Sequence, residues 1–157
     1  MMETTLLGLA LFVFSSRGSA QNISVGKRAA EDSMTLLSFV AMGNIGAADI
    51  ECKGTPFAGG DINAIVDGEI APVFERIARL DNRSGEPDGG ALMAMLKSIA
   101  QQRNGGVLVT KTVYDQKKDE AIAEYGRDKA CSVLSAMFQA VIQQRRLSLR
   151  NIYNSLR

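Results

Sequence analysis

Apolar residues recur at helical spacing through most of this chain. Between positions 27 and 52, Ala30, Met34, Leu37, Ala41, Ile45, Ala48 and Cys52 fall three or four apart, which lines one face of a helix. Cys52 belongs to that face, so it is expected to point into the core. Gly43 and Gly46 interrupt good helix formers, each at up to about 1 kcal/mol against Ala. They mark either a break or a close approach by another element. Gly54 and Pro56 end the segment.

A second segment opens at Asp61, whose carboxylate suits an N-cap. Ile62, Val66, Ile70, Val73, Ile77 and Leu80 form its stripe, with Phe74 beside it. Pro72 lies inside this pattern. It removes one backbone bond and clashes with the preceding turn, so a kink or two short helices are expected near 68–72. Residues 81–90 read as a surface loop. A third helix is expected over 88–104, with Leu92, Met93, Leu96, Ile99 and Ala100 on one side and Asn104-Gly105-Gly106 as its stop.

Residues 107–114 are rich in β-branched side chains but have no evident partner strand. They read as an extended connector, with Thr112 placed to cap the next helix. The longest helix is expected over 113–146, burying Ala123, Tyr125, Ala130, Leu134, Met137, Phe138, Val141 and Ile142, with Cys131 beside the stripe at mid-helix. Residues 147–157 read as a short amphipathic continuation through Leu149, Ile152, Tyr153 and Leu156. There is no internal repeat. The expected fold is all-α: a compact bundle of four or five helices, one domain over 21–157, with one inter-helix disulfide.

The pattern at the start of the chain sets the expected compartment. Residues 6–14 are unbroken apolar and are followed by Ser15-Ser16-Arg17-Gly18-Ser19-Ala20, with small side chains where a signal peptidase inspects the chain. Residues 1–20 therefore read as an export signal cleaved before Gln21, although the leading stretch carries Glu3 and no base. The run is too short for a bilayer span, which needs about 20 apolar residues. The competing reading is a buried or interfacial first helix. In an oxidising compartment Cys52 and Cys131, the only cysteines, are expected to form one structural disulfide. Closing a loop of about 80 residues stabilises by about 4.5 kcal/mol in the chain-entropy model. In the cytosol they would be two buried thiols.

Charge and composition narrow the function. The formal net charge is +1, from 18 Lys and Arg against 17 Asp and Glu, which argues against general nucleic-acid binding. Trp is absent and aromatics are 6% of residues, so a stacking platform for bases or sugars is not expected. His is absent too, which excludes Ser–His and Cys–His nucleophile pairs and removes the commonest general base. Two cysteines cannot supply the four ligands of a structural zinc site. No metal, cofactor or catalytic set is read from the chain.

Several weaker patterns have a bland reading beside the functional one. Asp67, Glu69 and Glu75 would have to converge across the Pro72 kink to share acid and base roles; solvated helix charges are commoner. Residues 61–69 superficially resemble a calcium loop but carry Ile65 and Val66 where an acid and Gly are required. Gly43-Asn44-Ile45-Gly46 and Gly59-Gly60 lack the Lys and the preceding strand of a phosphate loop. Asn22 and Asn82 open glycosylation tripeptides. Met34, Met42, Met93, Met95 and Met137 are either core filler or an adaptable client surface.

Arg145, Arg146, Arg150 and Arg157 fall within 139–157, which holds no acid. With apolar residues between them they suit weak contact with an anionic membrane surface or an acidic partner; the ordinary alternative is a basic helix end that favours the dipole. The expected function is that of an exported, periplasmic or secreted, non-catalytic factor that binds an unidentified protein, as an accessory, inhibitor, immunity or chaperone-like component. The alternatives are a carboxylate-dependent enzyme using Tyr114 or Tyr125, and a membrane-surface protein acting through its basic C-terminus.

Overall fold

The computed structural model describes residues 25–81 and 103–156. Within them lie helix α1 (Val25–Ala48), a 3-10 turn (Ile50–Cys52), the short α2 (Ile62–Ile65), a π turn (Val66–Ile70), α3 (Ala71–Asp81), α4 (Arg103–Tyr125) and α5 (Arg127–Ser155). The described residues contain no strand, and the all-α reading holds. The leader, both glycosylation tripeptides, most of the expected third helix and Arg157 lie outside the described residues.

Two expectations are corrected along α4 and α5. Residues 107–114 are not an extended connector; they are helical, and so are Gly105 and Gly106, so the expected stop at Asn104-Gly105-Gly106 does not end a helix. A helix satisfies its own backbone, which a lone extended segment cannot do. It also places Tyr114 in the core, only 1% exposed. Tertiary burial outweighs the modest helix preference of β-branched residues and glycine.

The second correction concerns the long final helix. It is two helices, broken at Gly126, whose φ of 86° and ψ of 156° are open to glycine almost alone. The chain reverses there, so α4 and α5 form an antiparallel hairpin: Ala121 shares a cluster with Ala130, and Tyr114 with Phe138. The break also re-phases the buried face. Ala130, Leu134, Phe138 and Ile142 are buried as expected, whereas Ala123, Tyr125 and Met137 are exposed. Residues 147–155 continue α5 without interruption and turn Leu149 and Ile152 into the core.

Of the expected stripe Ala30, Leu37 and Cys52 are buried, but the buried face of α1 is wider and centred to one side of it. Ala29, Ser33, Leu36, Val40, Gly43 and Gly46 face inward, while Met34 and Ala48 are exposed. The stripe includes a serine and two glycines, so hydrophobicity alone misplaces it. Ser33 is accommodated because its hydroxyl donates to the Ala29 carbonyl at 2.6 Å. Gly43 and Gly46 serve a close approach by the returning chain. A Cβ on Gly43 would meet the Ala58 carbonyl oxygen at 1.7 Å, and one on Gly46 would meet the Phe57 ring at 2.6 Å. Between them, the Asn44 side chain holds Gly60 by two bonds, Nδ2 to its carbonyl and its N–H to Oδ1, each 2.9 Å.

Pro72 produces its expected disturbance as a π turn. The Ala71 N–H reaches back five residues to the Val66 carbonyl, which widens the helix just before the proline ring. Asp61 caps α2 as expected, accepting from the Asn63 and Ala64 N–H groups.

Among the described residues the core has two parts. One joins Leu36 and Val40 of α1 to Ile70, Val73, Phe74 and Ile77, and to Ile142, Leu149 and Ile152 of α5. The other gathers Met42, Tyr114, Leu134 and Phe138. Phe39 packs against both and meets Phe138 edge-on at 5.6 Å. The Cys52–Cys131 disulfide closes one end of the bundle, with the two Cα atoms 5.4 Å apart. Because α5 begins at Arg127, Cys131 lies near its start and not at mid-helix, so the bridge ties the turn after α1 to the mouth of the α4–α5 hairpin.

Candidate functional site

Among the described residues, the turn after α1 presents the most exposed large apolar side chain. Helix α1 stops at Ala48, and Asp49 caps the 3-10 turn by accepting from the Glu51 N–H at 3.0 Å. The turn is closed by Cys52 N–H to the Asp49 carbonyl at 3.0 Å and Lys53 N–H to the Ile50 carbonyl at 3.3 Å. Gly54 then takes a positive φ of 89° and turns the chain back toward α1. Ile50, at the apex, is that side chain, 88% exposed.

The turn beneath Ile50 is held from three directions. Tyr114 donates its hydroxyl hydrogen to Asp49 Oδ2 at 2.8 Å, and Lys118 Nζ lies 2.7 Å from the same oxygen. Lys118 also pairs with Glu51 at 3.0 Å, and Arg127 approaches Glu51 at 3.7 Å. Cys52 is bridged to Cys131, and the Tyr114 hydroxyl oxygen lies 3.7 Å from Cys52 Sγ. Asp49 and Lys118 side chains are each only 14% exposed, so their pairing is stronger than that of an open surface pair.

The protonation states follow from this packing. Burial would raise the Asp49 carboxyl, but hydrogen bonds from Lys118, Tyr114 and the Glu51 N–H outweigh it and hold the group below its ordinary value. Burial would lower Lys118; its bonds to Asp49 and Glu51 outweigh that and raise it. Burial and then the Asp49 hydrogen bond and charge push Tyr114 well above its ordinary value. Tyr114 is therefore a neutral donor, fixed on a carboxylate, and unsuited to act as a base. Exposed Tyr125 is raised as well, first by its hydrogen bond to Glu124.

The acids near the Pro72 kink do not assemble as a pair. Glu69 is held by Arg146 through two bonds, Nε to Oε2 at 2.8 Å and Nη2 to Oε1 at 3.0 Å, while Asp67 and Glu75 are exposed.

The C-terminal arginines are separated in role. Arg145 Nη1 pairs with Asp32 Oδ1 at 2.7 Å, and Ser148 donates to the other oxygen of that buried carboxylate. Arg146 is engaged by Glu69. Arg150 is exposed and has no ion-pair partner among the described residues. Of the apolar residues interleaved with them, Leu149 and Ile152 are inside the bundle, whereas Leu147 and Tyr153 are exposed. Only part of this apolar set is used in packing, and among the described residues no helix is long and apolar enough to cross a membrane.

Arg146 and Arg150 do share a groove with the π turn. Its volume is about 410 Å³. Gly68, Glu69, Pro72, Val73, Leu149 and Tyr153 complete its lining. Arg76 lies over the Tyr153 ring, 4.4 Å from its centroid.

Asp49, Ile50 and Lys118 were not singled out by the sequence. Residue 50 was expected inside the first helix, where it would count as one more apolar residue. The available signal was local: an Asp followed by a short apolar-acid-Cys stretch and then Gly54 and Pro56 marks a capped turn. By sequence alone Lys118 is one of several charges in a row, with Asp115, Lys117, Asp119 and Glu120 beside it. No family model, curated protein or solved structure matches this chain.

Proposed function

We propose that this chain is an exported, non-catalytic protein-binding factor that engages its partner through the turn bearing Ile50. The observation that carries this reading is the exposure of Ile50 on a turn held by a partly buried hydrogen-bond network and a disulfide. A large aliphatic side chain left in water gains nothing for the folded monomer. Held on a rigid support, it is pre-organised to enter an apolar pocket with little further loss of conformational freedom. Interface hot spots have this form, an apolar anchor ringed by polar groups; here Glu51, Lys53 and Arg127 surround the anchor in sequence and space. The signal-like residues 1–20 and the disulfide support an oxidising, extracytoplasmic setting.

A photo-crosslinking residue placed at position 50 in the exporting cell tests this directly. The expected result is one discrete protein adduct that is absent when the same residue replaces exposed Glu124. Ile50→Asp is expected to fold normally and to lose the partner. Crosslinking at position 50 that is no more selective than at position 124 would overturn the reading.

A further inference from the structure

We propose that the groove between the π turn and α5 is a second binding site, for an acidic segment of a protein, with Arg150 receiving its carboxylate. The Ile50 turn is tied to α5 at Cys131, whereas this groove lies beside Arg146 to Tyr153. At 1.5 Å per residue, the 15 positions from Cys131 to Arg146 separate the two by about 22 Å along the helix. The inference therefore stands apart from the reading of Ile50, and either can fail without the other.

Four features of the groove select its occupant. Pro72 and the exposed ring of Tyr153 offer apolar surface to a side chain, over the buried Val73 and Leu149. Glu69 and Arg146 neutralise each other through a bidentate pair, which fixes that guanidinium in place and leaves Arg150 as the uncompensated charge in the groove. Arg76, stacked on Tyr153, adds a second cation at the rim. The π turn also presents backbone. Pro72 offers no N–H to the carbonyl one turn back, and a Cβ on Gly68 would meet nothing within 4 Å. A peptide can therefore approach the main chain at this point. Carboxylate, apolar side chain and peptide N–H together describe an acidic, partly apolar peptide. A bare phosphate would use only the cations. A bilayer is flat and would need a continuous apolar face; here Leu147 and Tyr153 are exposed but Leu149 and Ile152 between them are buried, and Arg150 lines a concave groove.

The test is an amide chemical-shift titration of the intact disulfide-bonded protein with a peptide of alternating Glu and Leu. Its controls are a Lys and Leu peptide of the same length and vesicles of equal parts phosphatidylglycerol and phosphatidylcholine. The expected result is saturable shifts at Gly68, Val73, Leu149 and Arg150 with the acidic peptide alone, weakened by added salt. Arg150→Glu should weaken binding at least tenfold, and Arg150→Lys should retain most of it. Ile50→Asp should leave the titration unchanged. Shifts with both peptides, Arg150-dependent binding to the vesicles in place of the peptide, or no saturable shift in the groove would each overturn the proposal.

Discussion

Tyr114 reaches from the middle of α4 to Asp49 at the end of α1, donating a 2.8 Å hydrogen bond to a carboxylate that Lys118 also holds. One buried phenol thereby joins a core position to the cap of the turn that exposes Ile50. Packing and polar roles of this residue separate by mutation. Tyr114→Phe keeps the ring against Phe138 and removes the bond, which should destabilise by about 2 kcal/mol because the acceptor is charged. Tyr114→Ala also removes the ring and should reach about 3–5 kcal/mol. Urea unfolding followed by circular dichroism measures both; equal losses would mean that the hydrogen bond contributes nothing.

The same cluster sets a pH dependence. Asp49 is held below its ordinary 3.8, so the folded state prefers the ionised carboxylate. Its contribution is present above pH 3.8 and is lost as pH falls through the lowered value. Lys118 and Tyr114 are raised above 10.5 and 10.0, so their contributions are present below those values and are lost as pH climbs through the raised ones. The stability gap between the native protein and Asp49→Asn should be widest near neutral pH and should close on acidification. A gap that stays constant from neutral pH to about pH 2 would contradict the ionised assignment.

Breaking the Cys52–Cys131 bridge should remove much of the domain's margin. The bridge closes a separation of 79 residues. The double substitution of both cysteines by serine is expected to cost about 3–4.5 kcal/mol, mainly by freeing the unfolded chain. Intact mass before and after reduction with thiol blocking checks the linkage in the exported fraction. The expected species begins at Gln21 and gains two blocked thiols only after reduction; a full-length species with two free thiols would contradict export.

Glycines at three positions should respond differently to the same change. Gly43→Ala drives a Cβ to 1.7 Å from the Ala58 carbonyl oxygen and should destabilise by about 1–3 kcal/mol despite alanine's better helix propensity. Gly126→Ala forces a φ of 86° on an L residue and should cost about 1–3 kcal/mol. Gly68→Ala meets open space and should be neutral or stabilising by up to about 1 kcal/mol. Thermal melts of the three variants give the ranking, and an equal response would contradict the packing described.

Local physics explains what was legible from the residues alone. Helical periodicity, the Asp61 cap, the disturbance at Pro72 and the pairing of two lone cysteines each depend on neighbours in sequence or on simple elimination. They established an all-α domain with one disulfide. Tertiary structure decided the rest. Gly126 could have sat inside a helix, and only the packing of α4 against α5 selects its left-handed turn. The buried face of α1 runs through Ser33, Gly43 and Gly46 because the chain returning through Phe57 and Ala58 needs small residues there. Residues 107–114 became helical because Tyr114 is worth more in the core than β-branched neighbours cost in propensity. Ile50 stands exposed because Asp49, Tyr114, Lys118 and the disulfide, drawn from three separate stretches of chain, hold its turn in place. Energies that arise between residues more than sixty positions apart leave no local trace in the order of the amino acids.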